Sequence, residues 1–281
     1  MALSVEALIE RQKYIGSSDV PALLGLSPYK NLGDLWLEKT GRLEVAQKPS
    51  QDADWGDRLE PVLCHWVGEA LGEEVVRGEY RRSSDDLLRA QLDGWLASSN
   101  ETVEVKTSGL FSPMFRADED GWGADGTDEV PYRVIAQVQF ALMLAGSPRG
   151  HVAAFLGNGV GPRHYVVEAM PALQREIETR ARAFWEHHVL ADIAPQAIPS
   201  IDTLKLVKRE EGKTVSIDEE LAFQYGEAEA AAKESSKAKD DAKAAVLNAM
   251  GDADTAITPF GTFTYHANKN GVRTLRFKGA S

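Results

Sequence analysis

Residues 92–108 read Leu-Asp-Gly-Trp-Leu-Ala-Ser-Ser-Asn-Glu-Thr-Val-Glu-Val-Lys-Thr-Ser, with two short apolar runs around a turn-forming Ser-Ser-Asn segment. This pattern is typical of a β-hairpin. The second run alternates apolar and polar residues from Val103 to Lys106, and successive side chains of a strand point to opposite faces. Glu104 and Lys106 therefore share one face, and folding of the hairpin brings Asp93 beside Glu104.

Two carboxylates and an ammonium group on one face have a specific chemical use. The carboxylates can bind Mg²⁺ and leave positions for water and phosphate oxygens. A bound metal lowers the pKa of water and polarises a phosphoryl group, while Lys106 can orient the nucleophile or stabilise developing charge. The alternative is a solvated strand face with a Glu–Lys pair, because an Asp-x₁₀-Glu-x-Lys spacing often arises by chance.

Composition limits the classes of protein that are possible. The chain has 281 residues, 43% of them hydrophobic, and a net charge of −12, which predicts a globular main domain with an appendage. The charge argues against a basic nucleic-acid coat protein but allows a nuclease with a locally basic lining. A single cysteine, Cys64, excludes an intrachain disulfide and indicates a reducing cytoplasm. We also expect no membrane segment and no signal sequence.

Before the hairpin, apolar spacing predicts a helix from Trp55 to Leu71 that follows a polar loop at 44–53. This assignment places Glu60 early in the helix and Pro61 in its first turn, where proline is tolerated. Glu60 is then either a third acidic group over the hairpin or a surface residue favoured by the helix dipole. Val75–Arg82 reads as one strand.

The segment Tyr14–Asp19 combines glycine and serine with a following apolar helix. Ser18 or Asp19 can cap that helix, and a helix N-terminus beside Arg11 is a plausible phosphate pocket. A capping box with a surface arginine explains the same residues.

After the hairpin, residues 109–129 are rich in glycine and acidic residues and predict a mobile loop, with Phe111–Arg116 left open as an exception. A helix is predicted over Pro131–Ala145, followed by strands at His151–Leu156 and Arg163–Glu168 and a helix at Ala172–Leu190. The alternation of elements indicates a mixed sheet flanked by helices. Gln137 and Gln139 lie in an otherwise apolar helix and need hydrogen-bond partners if they are buried, which active-site contacts could supply.

The last third of the chain has a different character. Pro195–Ser200 reads as a linker, Asp218–Met250 as a long solvated helix, and Phe260–Tyr265 with Arg273–Lys278 as a terminal β-hairpin. The basic and aromatic end can contact DNA or a partner protein, although a plain ribbon on the main domain is an equal alternative.

Four blocks together resemble the lambda-exonuclease-like, or YqaJ-like, viral recombinase nucleases of the PD-(D/E)xK superfamily. The blocks are Arg11-x₄-Gly16-Ser-Ser18-Asp with Leu24-Gly-Leu-Ser-Pro-Tyr29; Gly56-x₂-Leu-Glu60-Pro; Leu92-Asp93-Gly94 with Glu104-Val-Lys106; and Tyr132-x₄-Gln137-Val-Gln139. The resemblance implies a restriction-endonuclease-like α/β core, with an exonuclease domain over 1–198 and a C-terminal helix and β-hairpin extension over 199–281.

The resemblance also implies roles for individual residues. Asp93 and Glu104, with the backbone carbonyl of Val105, are expected to bind Mg²⁺, with two ions per site and Mn²⁺ as a possible substitute. Lys106 is expected to activate the attacking water, and Glu60 to complete the acidic cluster.

Further residues are assigned by the same four blocks. Gln137 matches the active-site glutamine of the family, and Tyr132 and Gln139 are expected to line the site against DNA. Arg11 and Ser18 match positions that hold the 5′-phosphate of the substrate. Gln91 stands where lambda-type enzymes have a serine of that phosphate pocket.

The function implied is Mg²⁺-dependent 5′→3′ exonuclease action on double-stranded DNA ends, releasing 5′-mononucleotides and leaving 3′ single-stranded overhangs for phage-type recombination. Expected partners are a single-strand annealing protein and further copies of the chain in a trimeric ring, in the cytoplasm of a bacterial host. The alternatives are an endonuclease or nickase with the same site, and a DNA-end-binding scaffold that does not cleave. The complete Asp93, Glu104 and Lys106 set disfavours the scaffold.

Overall fold

The computed structural model describes residues 5–44 and 51–280. The helices, in chain order, are α1 (Val5–Arg11), α2 (Val20–Leu23), α3 (Leu32–Lys39), α4 (Gln51–Leu71), α5 (Tyr132–Ala145), α6 (Pro171–Phe184), α7 (Ile201–Lys205) and α8 (Glu219–Met250). The strands are β1 (Ile15–Gly16), β2 (Val75–Val76), β3 (Tyr80–Arg82), β4 (Leu88–Gln91), β5 (Gly94–Leu96), β6 (Glu101–Ser108), β7 (Arg149–Leu156), β8 (Gly161–Glu168), β9 (Thr255–Thr258), β10 (Gly261–Ala267) and β11 (Arg273–Gly279). A 3₁₀ turn at Ser17–Asp19 precedes α2, and α6 continues as a π-helix over Trp185–Leu190.

A mixed five-stranded sheet forms the centre of the first unit. Its order is β2-β5-β6-β7-β8, with β6 and β7 parallel and the other neighbours antiparallel. The predicted α/β fold with a mixed sheet flanked by helices is therefore confirmed, and the predicted hairpin is β5–β6. Asn100 closes its turn with φ +54°, the left-handed conformation that asparagine tolerates.

Helices cover both faces of this sheet. Leu63, Cys64 and Val67 of α4 pack with Val103 and Val105 of β6. On the opposite face, α5 packs its apolar positions against Val152, Ala154 and Leu156 of β7. Because β6 residues alternate between the faces, Glu104 and Lys106 lie on the α5 side.

The predicted strand Val75–Arg82 is wrong as a single element. Gly78 has φ +78° and divides it into β2, at the edge of the central sheet, and β3, in a separate sheet of order β1-β4-β3. The helix predicted from Trp55 begins earlier, at Gln51. Pro61 therefore lies inside α4 and not in its first turn, and only 44 and 51–53 of the predicted 44–53 loop are within the described residues.

The chain divides into compact units Met1–Arg209 and Glu210–Ser281. This boundary lies beyond the predicted 198/199 division because the intervening segment bonds to the first unit. Asp34 of α3 accepts a hydrogen bond from the Ser200 main-chain N–H (2.7 Å), and Leu43 forms a β-bridge with Val207. In the second unit, the predicted hairpin is β10–β11, and β9 adds a third strand that the sequence analysis missed.

Gly94 occupies a position with no room for a side chain. A Cβ there would lie 2.3 Å from Val75 Cγ1 and 3.0 Å from Val103 Cβ. We expect Gly94→Ala to lower the free energy of unfolding by about 1–3 kcal/mol through overpacking, measured by urea denaturation.

The matched control is Gly56→Ala in α4, where the new Cβ meets only Thr107 Oγ1, at 3.4 Å. That change is expected to be neutral or stabilising by up to about 1 kcal/mol, because alanine loses less backbone entropy in a helix. Equal destabilisation by both changes would contradict the packing account of Gly94.

Candidate active site

Asp93, Glu104 and Lys106 meet at the open end of the β5–β6 hairpin. Gly94 pairs with Val103, so the antiparallel register carries Asp93 to the position opposite Glu104. Asp93 Oδ2 accepts a hydrogen bond from the Val105 N–H at 2.8 Å, and Lys106 Nζ donates to Glu104 Oε1. Glu104 is buried, whereas Asp93 and Lys106 are half-buried. The structure therefore brings the three predicted groups together.

Burial and mutual repulsion perturb this group strongly. Burial, followed by the neighbouring Glu104 carboxylate, raises the pKa of Asp93 to about 7, against the lowering effect of Lys106. Burial lowers the pKa of Lys106, but the Glu104 and Asp93 carboxylates outweigh it and raise that pKa above its ordinary value. Two carboxylates that repel each other where water is largely excluded form a pair that a cation stabilises.

Glu60 has an ionic partner of its own. Arg77 Nη2 donates to Glu60 Oε1 at 2.7 Å, although Glu60 is close enough to contribute to the raised pKa of Asp93. Within residues 5–44 and 51–280, no three or more His, Cys, Asp or Glu side chains form a metal-binding group. The predicted cluster of three carboxylates is therefore not preassembled, because Arg77 pairs with the third.

A magnesium ion nevertheless suits the two remaining carboxylates. Mg²⁺ is commonly bound through one or two carboxylates, with waters and substrate phosphates completing its octahedron. Asp93 and Glu104 supply that number, and they lie side by side, with Lys106 as the cation that partly offsets their charge. These residues fit a divalent cation.

The two glutamines of α5 have different environments. Gln137 is half-buried on a helix that packs against β6. Gln139 is fully buried, and its amide donates to the Glu168 carbonyl (2.7 Å) and accepts from the Met170 N–H (2.8 Å) and Gln174 Nε2 (3.1 Å). Gln139 therefore joins α5 to the β8–α6 connection and is not available to DNA, which corrects its predicted binding role.

Tyr132 and Gln91 are both accessible. Tyr132 begins α5, is 79% exposed, and lines a cavity of about 740 Å³ together with Arg133 and acidic residues of the 117–129 segment. Gln91 is exposed at the end of β4. Among the described residues, neither side chain hydrogen-bonds to Asp93 or Glu104, so their predicted roles stay predictions.

Residues 109–129 contain no helix or strand, as expected for a loop, but hydrogen bonds and a buried side chain join them to the core. Asp120 Oδ2 accepts hydrogen bonds from Ser108 Oγ (3.1 Å), Trp122 Nε1 (2.9 Å) and Arg133 Nη2 (2.6 Å). Trp122 is 2% exposed, and its ring packs at a tilt against Tyr165 of β8, with the ring centroids 5.6 Å apart. The prediction of a mobile loop rests on the glycine and acidic content of the segment. It does not include the burial of Trp122.

Arg11 and Ser18 lie together at the 3₁₀ turn. Arg11 Nη2 donates to Ser18 Oγ at 2.6 Å, and Ser18 is exposed. The turn and β6 both contact α5, so one helix supports this pair and the carboxylate strand. The structure thus brings the two predicted phosphate-binding residues side by side.

A buried ion cluster under Arg11 and Ser18 escaped the sequence analysis. Asp19 is fully buried and contacts Lys39 Nζ at 2.7 Å, Lys30 Nζ at 3.5 Å and Arg11 Nη2 at 3.9 Å. Burial raises the pKa of Asp19, but the three cations outweigh it and hold that pKa well below its ordinary value. Glu38 also contacts both lysines. Asp19 and Lys39 are 20 residues apart in the sequence, so no local spacing indicates their contact.

The fold and the site now permit an assignment to a family. The chain belongs to the YqaJ-like viral recombinase domain family, whose model matches residues 8–148. The uncharacterized protein YqaJ of Bacillus subtilis (strain 168) is 29% identical over 195 residues, which are 68% of this chain and 58% of that protein. The chain thus spans 58% of the length of that curated relative. The predicted family is confirmed.

Solved structures show the same core fold. An alkaline exonuclease from Laribacter hongkongensis has a TM-score of 0.51 at 18% identity, covering 68% of this chain and 94% of the exonuclease. The structure of that enzyme in complex with dAMP has a TM-score of 0.52 with the same identity and coverage. At this identity the likeness establishes the fold. None of the helices in the described residues is long and apolar enough to cross a membrane.

Proposed function

We propose that this chain is a Mg²⁺-dependent deoxyribonuclease that digests double-stranded DNA from its ends in the 5′→3′ direction. The observation that carries the proposal is the convergence of Asp93, Glu104 and Lys106 at one end of the central sheet, with the pKa of Asp93 raised to about 7. Family membership and an alkaline exonuclease among the structures of similar fold support it. The 3′ overhangs that remain are substrates for single-strand annealing.

Asp93, Glu104 and the Val105 carbonyl hold the metal in this proposal. When bound, Mg²⁺ supplies Lewis-acid polarisation of the scissile phosphate and lowers the pKa of the attacking water. The Val105 N–H fixes the orientation of the Asp93 carboxylate, so that the ligand is positioned before metal binds. Glu60 is the candidate ligand for a second ion, and its contact with Arg77 uses one of its two carboxylate oxygens.

Lys106 acts as a cation in this site. In the metal-free site its pKa is raised by the two carboxylates, so the ammonium group keeps its proton at neutral pH. A protonated Lys106 orients the attacking water and stabilises the negative charge that develops on the phosphoryl oxygens. Gln137, on the helix that covers β6, is proposed to complete the polar lining.

Arg11 and Ser18 are proposed to hold the 5′-phosphate of the DNA end. Their contact at 2.6 Å places a guanidinium group and a hydroxyl on one exposed surface, and this combination recognises phosphate through charge-assisted hydrogen bonds. Three cations against the two carboxylates of Asp19 and Glu38 leave this region locally positive.

Arg11→Ala tests the phosphate pocket. We expect kcat/KM on 5′-phosphorylated duplex to fall about 10- to 100-fold, the value of a hydrogen bond to a charged group, with little change on 5′-hydroxyl duplex. The matched control is Arg180→Ala, which removes an exposed arginine paired with Glu176 on α6. An equal loss on both kinds of end would show that Arg11 does not read the phosphate.

The proposed function as a whole is tested by incubating linear duplex and covalently closed circular DNA with Mg²⁺ or with EDTA. The expected result is digestion of the linear duplex alone, and only with Mg²⁺. Cutting of the closed circle would replace the exonuclease by an endonuclease or nickase, and binding without cleavage of either substrate would replace it by a DNA-end-binding scaffold.

A further inference from the structure

The C-terminal unit carries a basic segment in an acidic protein. Residues 255–280 contain four Lys and Arg residues and no Asp or Glu, whereas the whole chain has a net charge of −12. The four residues, Lys269, Arg273, Arg276 and Lys278, are all exposed. A positive segment of this kind in an otherwise acidic protein indicates a polyanionic partner.

Strand register sorts these side chains onto two different faces. Thr262 pairs with Lys278, Thr264 with Arg276, and His266 with Thr274, so these six residues share one face. In β9, Ile257 and Thr255 pair with Thr262 and Thr264 and join that face. We call this set of eight residues the threonine–basic face.

The opposite face of the same sheet is apolar. Phe263 and Phe277 pair across the strands with ring centroids 4.6 Å apart, and Tyr265 pairs with Leu275. Arg273 lies on this side, with its guanidinium carbon 6.0 Å from the centre of the Tyr265 ring, and Lys269 lies in the turn between the two strands. Arg276 and Lys278 are therefore separated from the aromatic face and directed to the other side.

The composition of the threonine–basic face matches one kind of ligand. Hydroxyl groups together with Arg and Lys are the groups that contact phosphates and sugars in protein–DNA complexes, without reading bases. Arg276 and Lys278 are two residues apart on β11, so their Cα atoms are separated by about 7 Å along the strand. The seven residues of β10 extend roughly 20 Å, enough for several successive phosphates at about 3.4 Å per nucleotide.

We propose that the threonine–basic face binds the phosphate backbone of DNA, independently of sequence, as a second DNA contact outside the Asp93 site. The proposal rests on the proposed function only in taking DNA as the polyanion. In this proposal the β9–β11 sheet retains the DNA, and Asp93, Glu104 and Lys106 cleave it.

The test compares DNA binding by the full chain and by an Arg276→Ala/Lys278→Ala variant in EDTA, so that cleavage does not interfere. Fluorescence anisotropy is recorded with a labelled single strand and with a labelled duplex over a series of salt concentrations. Loss of two phosphate contacts should reduce the slope of log K against log salt by about 1.4 for the single strand and about 1.8 for the duplex. At 0.1 M salt these changes correspond to affinity losses of about 25-fold and about 60-fold.

Two control variants test whether a loss of DNA binding is specific to the threonine–basic face. Lys237→Ala/Lys239→Ala removes the same charge from exposed positions of α8, and Arg273→Ala changes the opposite face of the same sheet. Both are expected to bind DNA as the parent does. The single-strand and duplex arms identify which form of DNA the face prefers.

Parent-like binding by Arg276→Ala/Lys278→Ala would overturn the inference, and so would an equal loss in the α8 control, which would indicate a net-charge effect. A change in oligomeric state without a change in DNA affinity would assign the face to protein contacts instead, and also overturns it. If the parent digests linear duplex with Mg²⁺ but the variant binds normally, only this inference fails. If the variant loses binding but the parent cleaves no DNA, only the proposed function fails.

Discussion

Replacement of Glu104 by Ala, or of Lys106 by Ala, is expected to abolish DNA cleavage while leaving DNA binding measurable. Glu104 is one of two carboxylates that suit a divalent cation, and Lys106 donates to it directly. Removal of a group that stabilises developing charge costs about 10²–10³-fold in rate. Loss of a metal ligand is expected to cost at least as much, because the cation is then poorly held.

The measurement is the initial rate of Mg²⁺-dependent digestion, with anisotropy in EDTA to follow binding. Matched controls remove the same side chains from exposed ion pairs elsewhere: Glu176→Ala, paired with Arg180, and Lys205→Ala, paired with Asp202. Such surface pairs contribute little to stability, so both controls should cleave as the parent does. Survival of cleavage in both Glu104→Ala and Lys106→Ala would show that the site is elsewhere.

Asp93→Asn is expected to abolish cleavage and at the same time to stabilise the metal-free chain at alkaline pH. The pKa of Asp93 is raised from an ordinary value of 3.8 to about 7 by burial and by Glu104. Between these pH values the folded state keeps a proton that the unfolded state has released, so stability falls as pH rises toward 7. Above pH 7 the full penalty of a buried charge is present, and asparagine removes it while still accepting the Val105 N–H.

Thermal unfolding in EDTA at pH 5 and pH 8 measures this effect. The advantage of Asp93→Asn over the parent should be larger at pH 8 than at pH 5. Asp19→Asn is the control, and it is expected to lower the stability, because the neighbouring cations hold the pKa of Asp19 low. Loss of that charge leaves Lys39 buried and unpaired by Asp19, at an expected cost of about 3–5 kcal/mol. Identical pH dependence in the parent and Asp93→Asn would contradict the electrostatic account of the site.

The β5–β6 hairpin could be predicted because the residues that determine it are close together in the sequence. Alternation from Val103 to Lys106 sets the faces, and a short turn sets the register that carries Asp93 to Glu104. The family blocks extended this prediction to Arg11 and Ser18, which the structure brings into contact. Local pattern and motif order therefore account for the β5–β6 hairpin and for the main candidate residues.

Contacts between distant segments could not be predicted. Gln139 looked like an active-site residue because a buried amide needs partners, but its partners are main-chain groups of Glu168 and Met170 and the side chain of Gln174. Glu60 is paired with Arg77 from the β2–β3 connection. The neutralisation of Asp19 by Lys39 depends on the packing of α3 against α2, which no periodicity in either segment indicates.

The central claim is that Asp93, Glu104 and Lys106 hydrolyse DNA from its 5′ ends. It is tested most directly by digesting linear 5′-phosphorylated duplex, labelled separately at each 5′ end, with the parent chain and Glu104→Ala purified in parallel. The account predicts release of labelled mononucleotides from both ends by the parent with Mg²⁺, none in EDTA, and none with Glu104→Ala. Equal release by Glu104→Ala, or label retained at the 5′ ends while the 3′ ends are degraded, would contradict it.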